Sequence, residues 1–356
     1  MKVLFITQQI STGDKVRKGG EVVSRDNYNV LVNVYGSNNV EIISIPEEKR
    51  LYKKYLHYMM LRNMYSEHIE QEIVQRINDI EWNLLFFDGS WFGRISKMVS
   101  KKGKIVAFFH NIERQYSLQR LKKNPLTIFK YFSVACNERC LMEETDYIIA
   151  LNLRDELLIK KYYQKETDLI LPISLQDSFA TNNDREDISG NERLLLFVGS
   201  YFNPNKEGAI WFIKNVMPHV NYKLLIAGKG MEKLKKYEND KIAVLGTVDS
   251  LGELYQKVDI IVIPIFSGGG MKVKTAEAMM YGKRILATKE ALTGYDIHGI
   301  NAVTECNTKD EFIFMLNNTE NNVKKFYPEV RQKFLEKYEQ SVKINRLAAF
   351  LSMIVN

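Results

Sequence analysis

Residues 260–282 read Ile260-Ile261-Val262-Ile263-Pro264-Ile265-Phe266-Ser267-Gly268-Gly269-Gly270-Met271-Lys272-Val273-Lys274-Thr275-Ala276-Glu277-Ala278-Met279-Met280-Tyr281-Gly282. A short unbroken apolar run, a glycine turn and a helical pattern form one strand–loop–helix half of an α/β unit. Apolarity that does not alternate fits a parallel strand covered on both faces. The three glycines let backbone approach a ligand closely, and a helix starting near Met271 offers free N–H groups and a positive dipole end to an anion. Lys272 and Lys274 add two positive charges at that point, and Glu277, one turn on, can accept hydrogen bonds from a diol such as that of a ribose. Phosphates plus a diol suggest a nucleotide. The plainer reading is a glycine turn with solvated lysines and a surface glutamate.

The same rhythm extends outward. Strands are expected at Leu194 to Val198, Lys223 to Ala227, Ile242 to Leu245, Ile260 to Pro264 and Arg284 to Ala287, each followed by a helix or turn. Upstream, further short apolar runs fall at Lys2 to Ile6, Val40 to Ile45, Trp82 to Phe87, Lys104 to Phe109 and Tyr147 to Leu151. The polar stretch Thr181 to Glu192 suits an exposed linker. The expected organisation is an α/β protein of two doubly wound domains, residues 1–175 and 193–337, joined by a linker at 176–192. A C-terminal helix within 338–356 carries Ile344, Leu347, Ala348, Leu351 and Ile354 at helical spacing and should pack back on the first domain.

The 356 residues suit two cores rather than one, and 45% hydrophobic with 26% charged residues excludes disordered, collagenous and coiled-coil chains. No apolar run approaches the length of a membrane span and the first is too short for a signal peptide, so the expected location is cytoplasmic. Cys136, Cys140 and Cys306 cannot build a disulfide framework, and the first two are read as buried thiols rather than metal ligands. A net charge of +7 favours an anionic partner.

Ligands of open α/β sheets bind outside the carboxyl ends of the strands. The loops to watch carry Gly19-Gly20, Asp88-Gly89-Ser90, His110-Asn111, Gly199 to Gly208 and Ser267 to Gly270. Asp88 is read equally as a turn cap or an acceptor contact. No nucleophile and base pair and no D-x-D metal motif is apparent.

Gly268 to Lys283 resembles the donor-site segment of retaining GT-B glycosyltransferases of family 4. The likeness continues, in the family's order, through Phe197 to Asn205, Trp211-Phe212, Ile226 to Gly230 and Leu245 to Tyr255, and covers nearly all of residues 193–300. The first half matches mainly at Gly19-Gly20 and His110-Asn111-Ile112-Glu113. The resemblance implies a GT-B fold, two Rossmann-like domains facing a central cleft, with a nucleotide sugar held mainly by the second. Glu277 corresponds to the ribose-binding second acid of the E-x7-E signature; Gly269 stands where the first acid would be, as in a glycine-rich subtype.

The implied donor-binding set is Gly19, Gly20, Gly199, Asn205, Lys206, Gly246, Val248, Gly269, Gly270, Met271 and Glu277, with uridine favoured as the base over guanosine. His110, Lys272 and Lys274 are the implied catalytic residues, the lysines stabilising the leaving diphosphate. The resemblance implies retention of configuration and no required metal or other cofactor. The expected acceptor is a glycan or lipid-linked saccharide, as in bacterial surface polysaccharide synthesis. Two competing readings are a GT-B nucleotide-sugar epimerase and a non-catalytic partner of another glycosyltransferase.

One feature of the first half stands apart. Lys49, Arg50, Lys53, Lys54 and Arg62 interleave with Leu51, Tyr52, Tyr55, Leu56, Tyr58, Met59 and Met60, and Arg120, Lys122, Lys123 and Lys130 surround Leu126, Ile128, Phe129, Tyr131 and Phe132. Such a face can lie on an anionic bilayer at the inner side of the membrane; the alternative is a charged surface over an ordinary buried stripe. No nucleic-acid motif accompanies the charge, so nucleic acid is not an expected partner.

Overall fold

The computed structural model describes residues 1–8, 19–179, 193–319 and 323–355. The chain forms two compact units: 1–173 together with 343–356, and 174–342. Each is built on one six-stranded sheet.

In the first unit the strands are β1 (Val3–Gln8), β2 (Val40–Ile45), β3 (Leu84–Asp88), β4 (Lys104–Phe109), β5 (Tyr147–Ala150) and β6 (Leu169–Ile170), in the order β2-β1-β3-β4-β5-β6. All pairings are parallel. The central strands are buried along almost their whole length, which is why they read as unbroken apolar runs. Phe86 stacks between Phe5 and Phe108 at ring distances of 5.7 and 6.3 Å. Side chains two apart share a face, so the next residues toward the carboxyl ends are Thr7, Asp88 and His110. An apolar ladder therefore delivers three polar groups to one end of the sheet.

The second unit holds β7 (Leu194–Val198), β8 (Lys223–Ala227), β9 (Ile242–Gly246), β10 (Ile260–Ile263), β11 (Arg284–Ala287) and β12 (Val303–Glu305), again parallel, in the order β12-β11-β10-β7-β8-β9. That is the dinucleotide-binding order, with the reversal of direction between β7 and β10. The fold is the expected α/β architecture with two Rossmann-like units.

Several boundaries differ from expectation. β6 and β12 have two and three residues, too short for a periodic signal. The helix after β1 runs Gly19–Tyr35, so Gly19 and Gly20 open it rather than precede it. The expected linker 176–192 lies mostly outside the described residues, which resume at 193, and the second unit runs on to Val342. The last helix is Gln340–Val355, and from Lys343 it is counted with the first unit. There Lys343 Nζ lies 2.6 Å from Oδ2 of Asp26, both side chains buried. Cys136 and Cys140 are half-buried, and only Cys306 is buried.

Candidate active site

Two clusters of chemically capable side chains stand at the strand reversal points, one in each unit. In the second unit, the helices that follow β7 and β10 are Asn203–Asn215 and Val273–Met280, and neither has a side-chain cap on its first N–H groups. The second begins two residues later than the glycine pattern suggests, with Lys272 as its N-cap. Both free N-termini sit at the switch point, the place where an anion is best received.

Backbone geometry explains the glycines. Gly270 has φ of 59°, in the left-handed region where a side chain costs energy. At Gly228, φ is 132° and an added Cβ would stand 2.1 Å from the carbonyl oxygen of Gly199, so two strand-end loops pass each other at backbone contact. Gly199 and Gly246 also belong to this junction: Gly199 N–H donates to Ala227 O and Gly228 N–H to Gly246 O. Val248 is half-buried two residues past β9.

Lys274 Nζ donates to Oδ1 of Asn205 at 2.7 Å and lies 4.8 Å from the centre of the Phe197 ring. Burial, helped by the charge of Lys272, pulls its pKa down to about 7 against the opposing pull of Glu277. Glu277, one turn on, accepts from the Tyr255 hydroxyl at 3.1 Å, and burial raises its carboxyl in spite of Tyr255 and Lys274. Tyr255 itself stacks flat on Tyr281 at 5.0 Å. Both groups are thus held toward their neutral forms, and a negatively charged ligand beside Lys274 would restore its charge.

Lys272 is differently placed. Its Nζ donates to the carbonyls of Gly269 and Gly270 at 3.1 and 3.0 Å and pairs with Glu290 at 2.8 Å. It therefore holds the shape of the glycine loop. Met271 is buried and Gly269 is half-exposed. Lys206 lies 5.8 Å from the Tyr201 ring, with Lys233 on the same ring at 4.9 Å.

In the first unit, Asp88 Oδ1 lies 2.8 Å from His110 Nε2 and 2.6 Å from Asn27 Nδ2, while Oδ2 accepts from Thr7 Oγ1 at 2.9 Å. Burial raises the Asp88 carboxyl, but the charge of His110 and hydrogen bonds from His110, Ser24 and Asn27 outweigh it and hold the pKa below the usual carboxylate value. Asp88 thus orients His110. The His110 ring also meets Phe108 edge-on at 5.3 Å. Gly19 and Gly20 open the helix that supplies Asn27.

The loop after His110 leads into the helix Glu113–Lys123, which has no cap from Ile112. Glu138 supplies it from a distance, accepting from the N–H groups of Glu113 and Arg114 at 2.7 and 3.1 Å and from the Tyr163 hydroxyl at 2.6 Å. Burial raises the Glu138 carboxyl to about 7.

Sequence reasoning named Lys274, Asn205, Glu277, Lys272, Gly199, Gly246, Gly269 and Gly270, and the structure brings these to the strand ends of the second unit, whereas Gly19, Gly20 and His110 stand in the first. It missed Tyr255, Glu290, Thr7 and Asn27, which act through contacts between distant segments. Only Thr7 had a signal, as the polar residue ending an apolar strand. Among the described residues there is no group of three or more His, Cys, Asp or Glu side chains placed to hold a metal ion.

The class these two units define is the GT-B architecture of glycosyltransferases. Within it, residues 192–318 match the family model of glycosyl transferases group 1. The chain is 24% identical over 284 residues to an uncharacterized glycosyltransferase of Methanocaldococcus jannaschii, covering 72% of this chain and 71% of that one. It is 31% identical over 137 residues, 34% of each chain, to an uncharacterized protein in the cps region of Klebsiella pneumoniae. Among solved structures, Anabaena HepE in complex with UDP superposes with a TM-score of 0.70 at 13% identity, covering 99% of this chain and 100% of that one. The lipopolysaccharide outer core galactosyltransferase WaaB superposes with 0.63 at 14% identity over the same shares. These likenesses support a glycosyltransferase.

Proposed function

We propose that this chain is a glycosyltransferase that moves a sugar from a UDP-linked donor to a glycan or lipid-linked saccharide, with retention of configuration, in the synthesis of a bacterial surface polysaccharide. The observation that carries the reading is the Asn205–Lys274–Glu277 cluster at the β7/β10 switch point, flanked by two uncapped helix N-termini. A diphosphate takes the N–H groups and the Lys274 ammonium, and the ribose diol takes Glu277. The uracil lies along Gly246 and Val248. UDP in the HepE complex and the cps-region setting of the Klebsiella relative favour the donor and the pathway.

The chemistry follows from charge. Breaking the glycosidic bond leaves negative charge on the diphosphate, and Lys274, charged when it is occupied, stabilises that oxygen. Lys272 keeps the loop N–H groups aimed at it. In the first unit His110, oriented by Asp88, is assigned as a hydrogen-bond donor to a sugar hydroxyl. Side chains supply this charge, so turnover is expected to persist in a chelator.

The test is incubation of purified protein with a panel of nucleotide sugars and candidate acceptors, with mass spectrometry of products and the anomeric coupling read by NMR. Acceptor-dependent transfer from a UDP-sugar with retained configuration supports the reading. Acceptor-free interconversion of the donor would replace transfer by epimerisation, and no turnover of any donor would leave a binding partner.

A further inference from the structure

The helix Leu51–Met59 is amphipathic in the inverted sense. Leu51, Tyr52, Tyr55, Leu56, Met59 and the C-capping Met60 fall on one side at 100° per residue, and all six are exposed, Leu51 by 82% and Tyr52 by 62%. The side turned inward carries Tyr58, which is buried. Tyr55 meets Phe129 edge-on at 5.7 Å, which joins this stripe to a second segment where Leu126, Ile128, Phe129 and Phe132 are also exposed. An apolar face of this size, built from two segments far apart in sequence, is not the scatter of single residues common on soluble proteins.

Its charge decides the occupant. Residues 49–62 hold five Lys or Arg and no Asp or Glu, and residues 117–132 hold four and none, of which Lys130 is turned inward over the Tyr58 and Trp91 rings. Glu47, Glu48 and Glu67 at the margin pair with Lys54, Arg50 and Arg62. A second copy of this chain docked through the same face would set these cations against their own equivalents. An anionic bilayer accepts both components, the apolar side chains among the acyl chains and the cations among the headgroups. We propose that this face of the first unit docks the protein on an anionic lipid bilayer. No helix among the described residues is long and apolar enough to cross one, so the contact is peripheral.

The test is co-sedimentation of the full chain with vesicles of phosphatidylglycerol and phosphatidylethanolamine, against vesicles of phosphatidylcholine alone. The expected result is sedimentation with the anionic vesicles that weakens with salt. It should fall at least tenfold in a Leu51→Ser, Leu56→Ser, Phe132→Ser variant and in a separate Lys49→Glu, Lys53→Glu, Lys122→Glu variant. UDP-induced thermal shifts should match wild type in both, which separates this surface from the donor site. Wild-type protein that stays in the supernatant, or variants that sediment like wild type, would overturn the proposal. So would a dimer, seen by light scattering, that the apolar variant abolishes while vesicles never bind.

Discussion

The Nζ of Lys274 lies 2.7 Å from Oδ1 of Asn205, which ties the helix after β10 to the helix after β7 across the point where the strand order reverses. The ammonium is poised near neutrality, its pKa drawn from 10.5 to about 7 by burial. Below about pH 7 the lysine is charged in both folded and unfolded chains, and the fold bears the full cost of burying it. Above that the folded state releases the proton first, so Lys274 makes stability rise with pH until its unfolded value is reached. A Lys274→Met variant should lose this rise, and comparison of urea midpoints from about pH 6 to about pH 9 measures it. A wild-type midpoint that parallels the variant's would contradict the buried charge.

The same group makes donor binding pH-dependent with the opposite sign. A diphosphate favours the charged amine, so UDP affinity should weaken as pH rises from about 7 toward 9, by up to about tenfold per pH unit. Lys274→Arg, charged throughout, should flatten this dependence in calorimetric titrations.

Glu277→Gln should weaken UDP binding by about 1–3 kcal/mol, the cost of a lost charged hydrogen bond. The loss should vanish with a 2′,3′-dideoxy analogue, because the carboxylate is assigned to the diol. An equal loss with both ligands would move Glu277 away from the ribose.

Lys272→Ala removes the donor that holds the Gly269 and Gly270 carbonyls. UDP affinity should fall by about 1–1.5 kcal/mol, with turnover lowered further. Glu290→Gln, which keeps the lysine but loosens its anchor, should show a smaller effect in the same titration. Equal effects of the two variants would mean that Lys272 acts through its pair with Glu290 and not through the glycine carbonyls.

Asp88→Ala strands Thr7, Asn27 and His110 without their shared acceptor, and should cost about 3 kcal/mol in urea unfolding. Because the folded pKa of Asp88 is held below its ordinary value, its stabilisation is complete above about pH 4 and is lost as pH falls through the folded value. Wild type should therefore lose more stability than Asp88→Asn on acidification.

What the sequence disclosed follows from range. The central strands, buried on both faces, announce themselves as apolar runs, and the Gly268–Glu277 motif lies within a single loop and helix. β6 and β12 escaped because two or three residues carry no period. The partners Asn27 of Asp88 and Glu290 of Lys272 are assembled only by tertiary packing, 61 and 18 residues away. The stripe from Leu51 to Met60 was visible as a pattern, but periodicity records which residues share a face and not whether that face meets the core or the solvent.

The most direct test is diffraction from crystals of this protein soaked in UDP. The expected result is diphosphate density against the loop from Gly269 to Lys274, within hydrogen-bond reach of Lys274 Nζ, with the ribose beside Glu277. Nucleotide density at any other place on the chain, with this loop unchanged, would contradict it.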